Sequence, residues 1–112
     1  MDIYFSNKRL QKACDLKEAT KLWGSENAKK LYQRLTELFV ANNLSEISCL
    51  PQARCHELKG RRKGQFAVDL KHPFRLIFVP ANNPVPRKKD GGIDLNRVTA
   101  ICIIGVEDYH GE

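Results

Sequence analysis

Three groups of side chains in this sequence have the types and spacing that proton transfer on a charged substrate needs. Asp108, Tyr109 and His110 place an acid, a phenol and an imidazole in consecutive positions, just after Glu107 and an apolar run. All three can make hydrogen bonds, and an imidazole exchanges its proton near neutral pH. Upstream, His56-Glu57-Leu58-Lys59-Gly60-Arg61-Arg62-Lys63-Gly64 crowds basic and titratable groups into a segment whose glycines suit tight turns. Between these groups, Arg75 interrupts the apolar run Phe74-Arg75-Leu76-Ile77-Phe78-Val79.

The set is rich in cations and poor in carboxylates, which separates the possible chemistries. Two-metal phosphoryl transfer requires several acidic ligands, and only Asp69 and Asp108 qualify. Cys14, Cys49, Cys55 and Cys102 show neither paired metal-ligand spacing nor a dense disulfide framework. Free thiols in a reducing cytoplasm are expected, with no metal and no cofactor. Metal-free RNA cleavage needs other parts: a base for the 2′-OH, cations for the charged phosphorane and an acid for the departing 5′-oxygen. Lys, Arg, His and Tyr suit those parts, and RNA fits better than DNA because the nucleophile belongs to the substrate. Each group also has an ordinary reading. Terminal residues fray, a lone histidine such as His56 is commonly a surface residue, and a Lys-Arg loop is commonly only solvated.

The 112 residues are enough for one small domain with a real core, spanning 1–112. The net charge of +6 is unevenly spread: residues 54–80 hold 7 cations against 2 anions. A cationic block on a small domain points toward phosphate. No apolar run approaches the ~20 residues of a membrane span, and Met1-Asp2-Ile3-Tyr4-Phe5-Ser6 lacks the regions of a signal peptide. A cytoplasmic protein without a membrane partner is expected.

The elements that must position these groups are an edge strand over residues 2–6, a brief helix over 7–16 and a linker through Trp23-Gly24. A longer amphipathic helix follows, with Ser25 as N-cap and an end near Asn42-Asn43. Ala28, Leu31, Leu35, Leu38 and Phe39 mark its inner face, and Lys29, Lys30, Gln33, Arg34 and Glu37 its wet face. Another helical turn is expected over 44–50. Phe66, Val68 and Leu70 alternate toward the core in one strand, and Phe74, Leu76 and Phe78 do so in the next. That leaves Asp69, Lys71 and Arg75 on an open, polar face. Residues 81–97 read as a long polar, flexible connection, and 98–106 as a strand covered on both faces. The fold class is α+β, with N-terminal helices packed on a small antiparallel sheet.

Four stretches in this order resemble the HigB branch of the RelE/ParE toxin superfamily, the toxin halves of bacterial type II toxin–antitoxin pairs. They are Arg54-Cys55-His56-Glu57-Leu58-Lys59-Gly60, Gly64-Gln65-Phe66-Ala67-Val68, Phe74-Arg75-Leu76-Ile77-Phe78 and Glu107-Asp108-Tyr109-His110. The resemblance covers about residues 54–80 and 98–110; the helical half matches only in layout. It implies a RelE/ParE-like fold and metal-independent cleavage of messenger RNA on the translating ribosome. Its functional positions fall on His56, Lys59, Arg75, Asp108, Tyr109 and His110. In that scheme His110 is a general acid/base and Arg75 with Lys59 are transition-state cations. Tyr109 and Asp108 orient the base or the RNA, His56 is a second proton-transfer group, and the group that takes the 2′-OH proton is open. Lys71 is a basic position for phosphate, and Arg61, Arg62 and Lys63 are RNA-binding cations. The implied partners are the ribosome, its message and a cognate antitoxin of the DNA-binding helix-turn-helix kind. Residues 81–97 form a longer connection than that branch usually has. Two other functions compete: a ParE-like inhibitor of DNA gyrase, and a non-enzymatic nucleic-acid binder.

Overall fold

Alternation in the second half of the chain builds a sheet with one row of side chains turned to helices and the other to the candidate site. The computed structural model describes residues 1–108. Its elements are β1 (Asp2–Phe5), α1 (Lys8–Ala13), α2 (Leu16–Trp23), α3 (Ser25–Val40), α4 (Leu44–Ser48), β2 (His56–Glu57), β3 (Phe66–Asp69), β4 (Phe74–Pro80) and β5 (Ala100–Asp108). The strands lie in the order β1-β5-β4-β3-β2. The α+β architecture is the expected one, with β1 at an edge. The sheet is mixed rather than wholly antiparallel, because β1 runs parallel to β5 while the other neighbours are antiparallel. A parallel pair requires a long crossover, and here almost the whole chain lies between the two strands.

The helix-facing row consists of Phe66, Val68, Leu76, Phe78, Ile101 and Ile103, packed with Ala28, Leu31 and Leu38 of α3 and Leu44 and Ile47 of α4. Phe66 and Phe78 stack at 5.9 Å between ring centroids. The opposite face is not wholly polar, as alternation had suggested. Leu58, Ala67 and Ile77 form a small buried cluster there, with Ile104 packed against it.

Several local expectations are corrected. The stretch read as a linker before Gly24 is α2, capped by Asp15, whose carboxylate accepts from Lys17 N at 3.2 Å, and anchored by buried Ala19. The N-cap of α3 is Gly24 at φ 88°, with Ser25 already inside the helix. A serine in that left-handed conformation would be strained, so the cap falls to glycine. Phe39 is 69% exposed and does not belong to the inner face. Arg34, expected on the wet face, is only 3% exposed. Its Nε donates to Asp69 O at 2.8 Å, its Nη2 to Gln52 O at 2.9 Å and its Nη1 to Glu37 Oε1 at 3.0 Å. Burying a guanidinium is tolerable because these acceptors replace the water it loses.

Residues 81–97 are not a flexible connection. Arg87 and Ile93 form an antiparallel bridge, Lys88 N donates to Gly92 O at 2.8 Å, and Arg97 Nη2 donates to Arg87 O at 2.9 Å. Ile93 and Val98 are buried in the main core, and Val85 and Leu95 pack against it. Periodicity could not reveal this, because a single apolar residue per turn of chain is enough to pin a hairpin.

Two stability measurements follow from this packing. Arg34→Ala should destabilise the protein by about 3 kcal/mol in urea unfolding, since it strands two buried carbonyls and a carboxylate. Ile93→Ala should cost about 2 kcal/mol, whereas Lys88→Ser with Lys89→Ser at the exposed tip should stay within about 0.5 kcal/mol of the parent.

Candidate functional site

The row of β-residues facing away from the helices gathers the chemistry. Cross-strand register sets His56 opposite Ala67, Asp69 opposite Arg75, and Arg75 opposite Glu107. Arg75 reaches across β3 to place Nη1 3.4 Å from His56 Nε2, a long hydrogen bond. His56 Nδ1 lies 2.8 Å from Arg54 O. A carbonyl only accepts, so Nδ1 carries the proton and Nε2 presents its lone pair toward the guanidinium. In that tautomer of the neutral ring, Nε2 is the nitrogen that stands beside the permanent cation.

Arg54 is what makes this orientation possible, and sequence reasoning passed over it. It has φ 46°, the left-handed region that a non-glycine residue enters at a cost. Its Nε pairs with Asp69 Oδ2 at 3.0 Å, and this ion pair, with the adjacent bond from Asp69 N to Ala53 O at 2.8 Å, holds the bend against β3. The turned backbone aims the Arg54 carbonyl at the ring two residues on. No glycine or asparagine marks the position, so no turn signal betrayed it.

The Lys59 loop closes as a unit. Leu58 N donates to Gln65 O at 2.8 Å, Gly64 N to Glu57 Oε2 at 2.9 Å, and Arg62 Nε to Gln65 Oε1 at 2.9 Å, around a 3-10 turn at Gly60–Arg62. Glu57, Leu58, Lys59, Gly60 and Lys63 line a shallow depression on its surface. Lys59, Arg61 and Lys63 are exposed, whereas Arg62 turns both Nη groups to Glu107, at 2.7 and 2.6 Å. Glu107 was visible in the sequence as one acid beside a cationic block, but nothing linked it to a residue 45 positions away.

The structure thus brings His56, Arg75, Arg62 and the Lys59 loop to one face. It sets Lys71 apart: Lys71 N donates to the Asn27 side chain at 3.0 Å and Lys71 Nζ pairs with Glu26, both in α3. The hydrogen bond and charge of Lys71 hold the Glu26 carboxyl below its usual range. Asp108 is exposed and pairs with Phe74, so alternation puts it on the face opposite Glu107. Tyr109 and His110 lie outside the described residues. Cys55, next to His56, is pushed up to about 12 by burial and Cys14 to about 11, so neither supplies a thiolate near neutral pH. Among the described residues no group of three His, Cys, Asp or Glu side chains comes together as a metal site, and no helix is long and apolar enough to cross a membrane.

A family model described as the RelE-like toxin of the type II toxin–antitoxin system HigB matches residues 3–88. The match takes in the helical half, which the motifs did not anchor, together with His56, the Lys59 loop and Arg75. It stops before β5, so the terminal Asp-Tyr-His lies beyond it. No curated protein matches the chain.

The bend at Arg54 can be tested by stability. Arg54→Gly should leave stability unchanged or raise it by up to about 1 kcal/mol, because glycine enters the left-handed region freely and the exposed ion pair contributes little. Arg54→Val should lower it by about 1–2 kcal/mol in the same thermal unfolding experiment.

Proposed function

Because this chain belongs to the HigB group of RelE-like toxins of type II toxin–antitoxin systems, we propose that it is a ribosome-dependent endoribonuclease that cuts messenger RNA without a metal. RelE-like toxins are generally endoribonucleases, and a toxin of this class has a cognate antitoxin. The observation that carries the finer reading is the His56–Arg75 arrangement: a lone pair on Nε2 and a guanidinium share one point on an accessible face.

In this reading the 2′-OH of one nucleotide enters between the two groups and gives its proton to His56 Nε2. The resulting oxygen attacks the adjacent phosphorus, and Arg75 with Lys59 stabilises the charge that builds on the phosphorane oxygens. The bond to the 5′-oxygen of the next nucleotide breaks, leaving a 2′,3′-cyclic phosphate and a new 5′-OH. His110 supplies the proton for that leaving oxygen, with Tyr109 and Asp108 orienting it or the RNA. Arg61 and Lys63 at the rim draw the phosphate chain in. The ribosome presents the message in the conformation the site requires, which accounts for so open a site. The toxin acts in the cytoplasm, and its antitoxin is a DNA-binding protein of the helix-turn-helix kind.

Purified protein incubated with ribosomes carrying a defined message should produce cuts with a cyclic phosphate on the upstream fragment, also after EDTA treatment of the toxin alone. Arg75→Ala, His56→Ala and His110→Ala should each slow cutting by roughly 10²–10⁴-fold while ribosome binding is kept. Growth arrest without cleaved message, accompanied by inhibited DNA supercoiling, would instead establish the gyrase-inhibitor alternative.

A further inference from the structure

We propose that Arg62 and Glu107 form a positioning clamp that holds the Lys59 loop against the end of β5, so that the two parts of the active site keep one geometry. The assignment rests on the ribonuclease reading and gives Arg62 a role other than gripping RNA.

Leu58, buried with Ile104 beside it, anchors the base of the loop to the sheet, and the clamp adds a polar tie from the loop's cationic turn to the end of β5. The loop enters from β2, whose ladder on β3 is only the pairs His56–Ala67 and Glu57–Phe66. Two pairs at a sheet edge cannot by themselves fix a basic loop that repels itself. The fork of Arg62 spans from the loop to β5 with two parallel bonds to the Glu107 carboxylate at 2.7 and 2.6 Å. Bidentate geometry fixes orientation as well as distance, which a lysine would not do. Nε of Arg62 is also committed, to Gln65 within the loop. A guanidinium engaged on all three nitrogens has no fork to offer a phosphate, so positioning is favoured over direct RNA contact. Glu107 stands opposite Arg75 in the ladder and immediately before Asp108. The pair therefore fixes Lys59 relative to Arg75 and to the start of the terminal segment. Both partners are about one-third exposed, at 35% and 37%, so the pair adds little to overall stability.

The test compares the parent with Glu107→Gln, Arg62→Glu, Arg62→Lys and the exchange Arg62→Glu with Glu107→Arg, in the ribosome–message cleavage assay. Thermal unfolding of each variant verifies the fold. Glu107→Gln should lower the maximal cleavage rate by roughly 10- to 100-fold, with ribosome affinity within about twofold of the parent. Arg62→Glu should fall at least as far, and the exchange should recover about tenfold or more of that loss, because only an ion pair is restored by reversing it. Arg62→Lys, the mildest change, should lie between and serves if a bolder variant unfolds.

The proposal is overturned if Glu107→Gln cuts at the parental rate, or if the exchange is no better than Arg62→Glu alone. It is also overturned if Glu107→Gln binds and cuts faster, since Glu107 would then be masking a phosphate-binding Arg62. A parent that cuts no message overturns the ribonuclease reading and this assignment with it, a result distinct from an active parent with unaffected variants.

Discussion

Ile104 is one residue more than the ladder between β4 and β5 can pair, and the placement of the site depends on it. Register runs from Phe74–Asp108 to Ile77–Gly105, then resumes at Phe78–Ile103, leaving Ile104 as a bulge. Because strand side chains alternate with a period of two, one extra residue reverses which face each later residue occupies. Ile101 and Ile103 point to the helices, and so does Val106. Without the bulge, Glu107 would share their face and meet α-helical apolar groups. With it, Glu107 stands beside Arg75 and within reach of Arg62. Ile104 itself, next after the inward Ile103, packs on the small cluster of Leu58, Ala67 and Ile77, an apolar floor under the charged groups.

Arg34 carries this order from the helices to His56. Its guanidinium holds Gln52 O and Asp69 O, one on the segment leading into β2 and the other at the end of β3. These two segments also meet where Asp69 N donates to Ala53 O and the Asp69 carboxylate receives Arg54. Arg54 can therefore be kept in a left-handed conformation, and its carbonyl kept on His56. A cation buried in α3 thus acts on the tautomer of an imidazole that it does not touch. Asn27 does parallel work about two turns earlier in α3, linking Trp23 O to Lys71 N.

Charge at the site is arranged in two tiers. Arg54 with Asp69 and Arg62 with Glu107 are compensated pairs that shape the backbone around it. Lys59, Arg61 and Lys63 stand exposed on the loop, where their field can draw a polyanion at a rate that falls with salt. Counting cations along the chain treats all of these alike. Their division into structural and accessible groups depends on which carboxylates folding brings near.

The amino-acid sequence by itself determined the family and the outline of the fold. Its motifs around His56, Phe66 and Arg75 identify the family. The alternation in Phe66–Leu70 and Phe74–Phe78 is a local property of the chain, so the two central strands and their inner faces were legible. The same holds for the spacing of Ala28, Leu31 and Leu38 in α3. Tertiary structure alone decided the rest, because each remaining feature depends on a partner distant in the chain. Arg34 is buried only because carbonyls from residues 52 and 69 converge on it. The hairpin over 85–97 packs on the body because Ile93, with Val85 and Leu95, meets a core built by the rest of the chain. Arg62 meets Glu107 only because a bulge turns Glu107 to its side of the sheet. A charged side chain on a helix or loop has the same local signature whether it faces water or an acceptor. The difference lies in desolvation and pairing energies that exist only once the chain has folded.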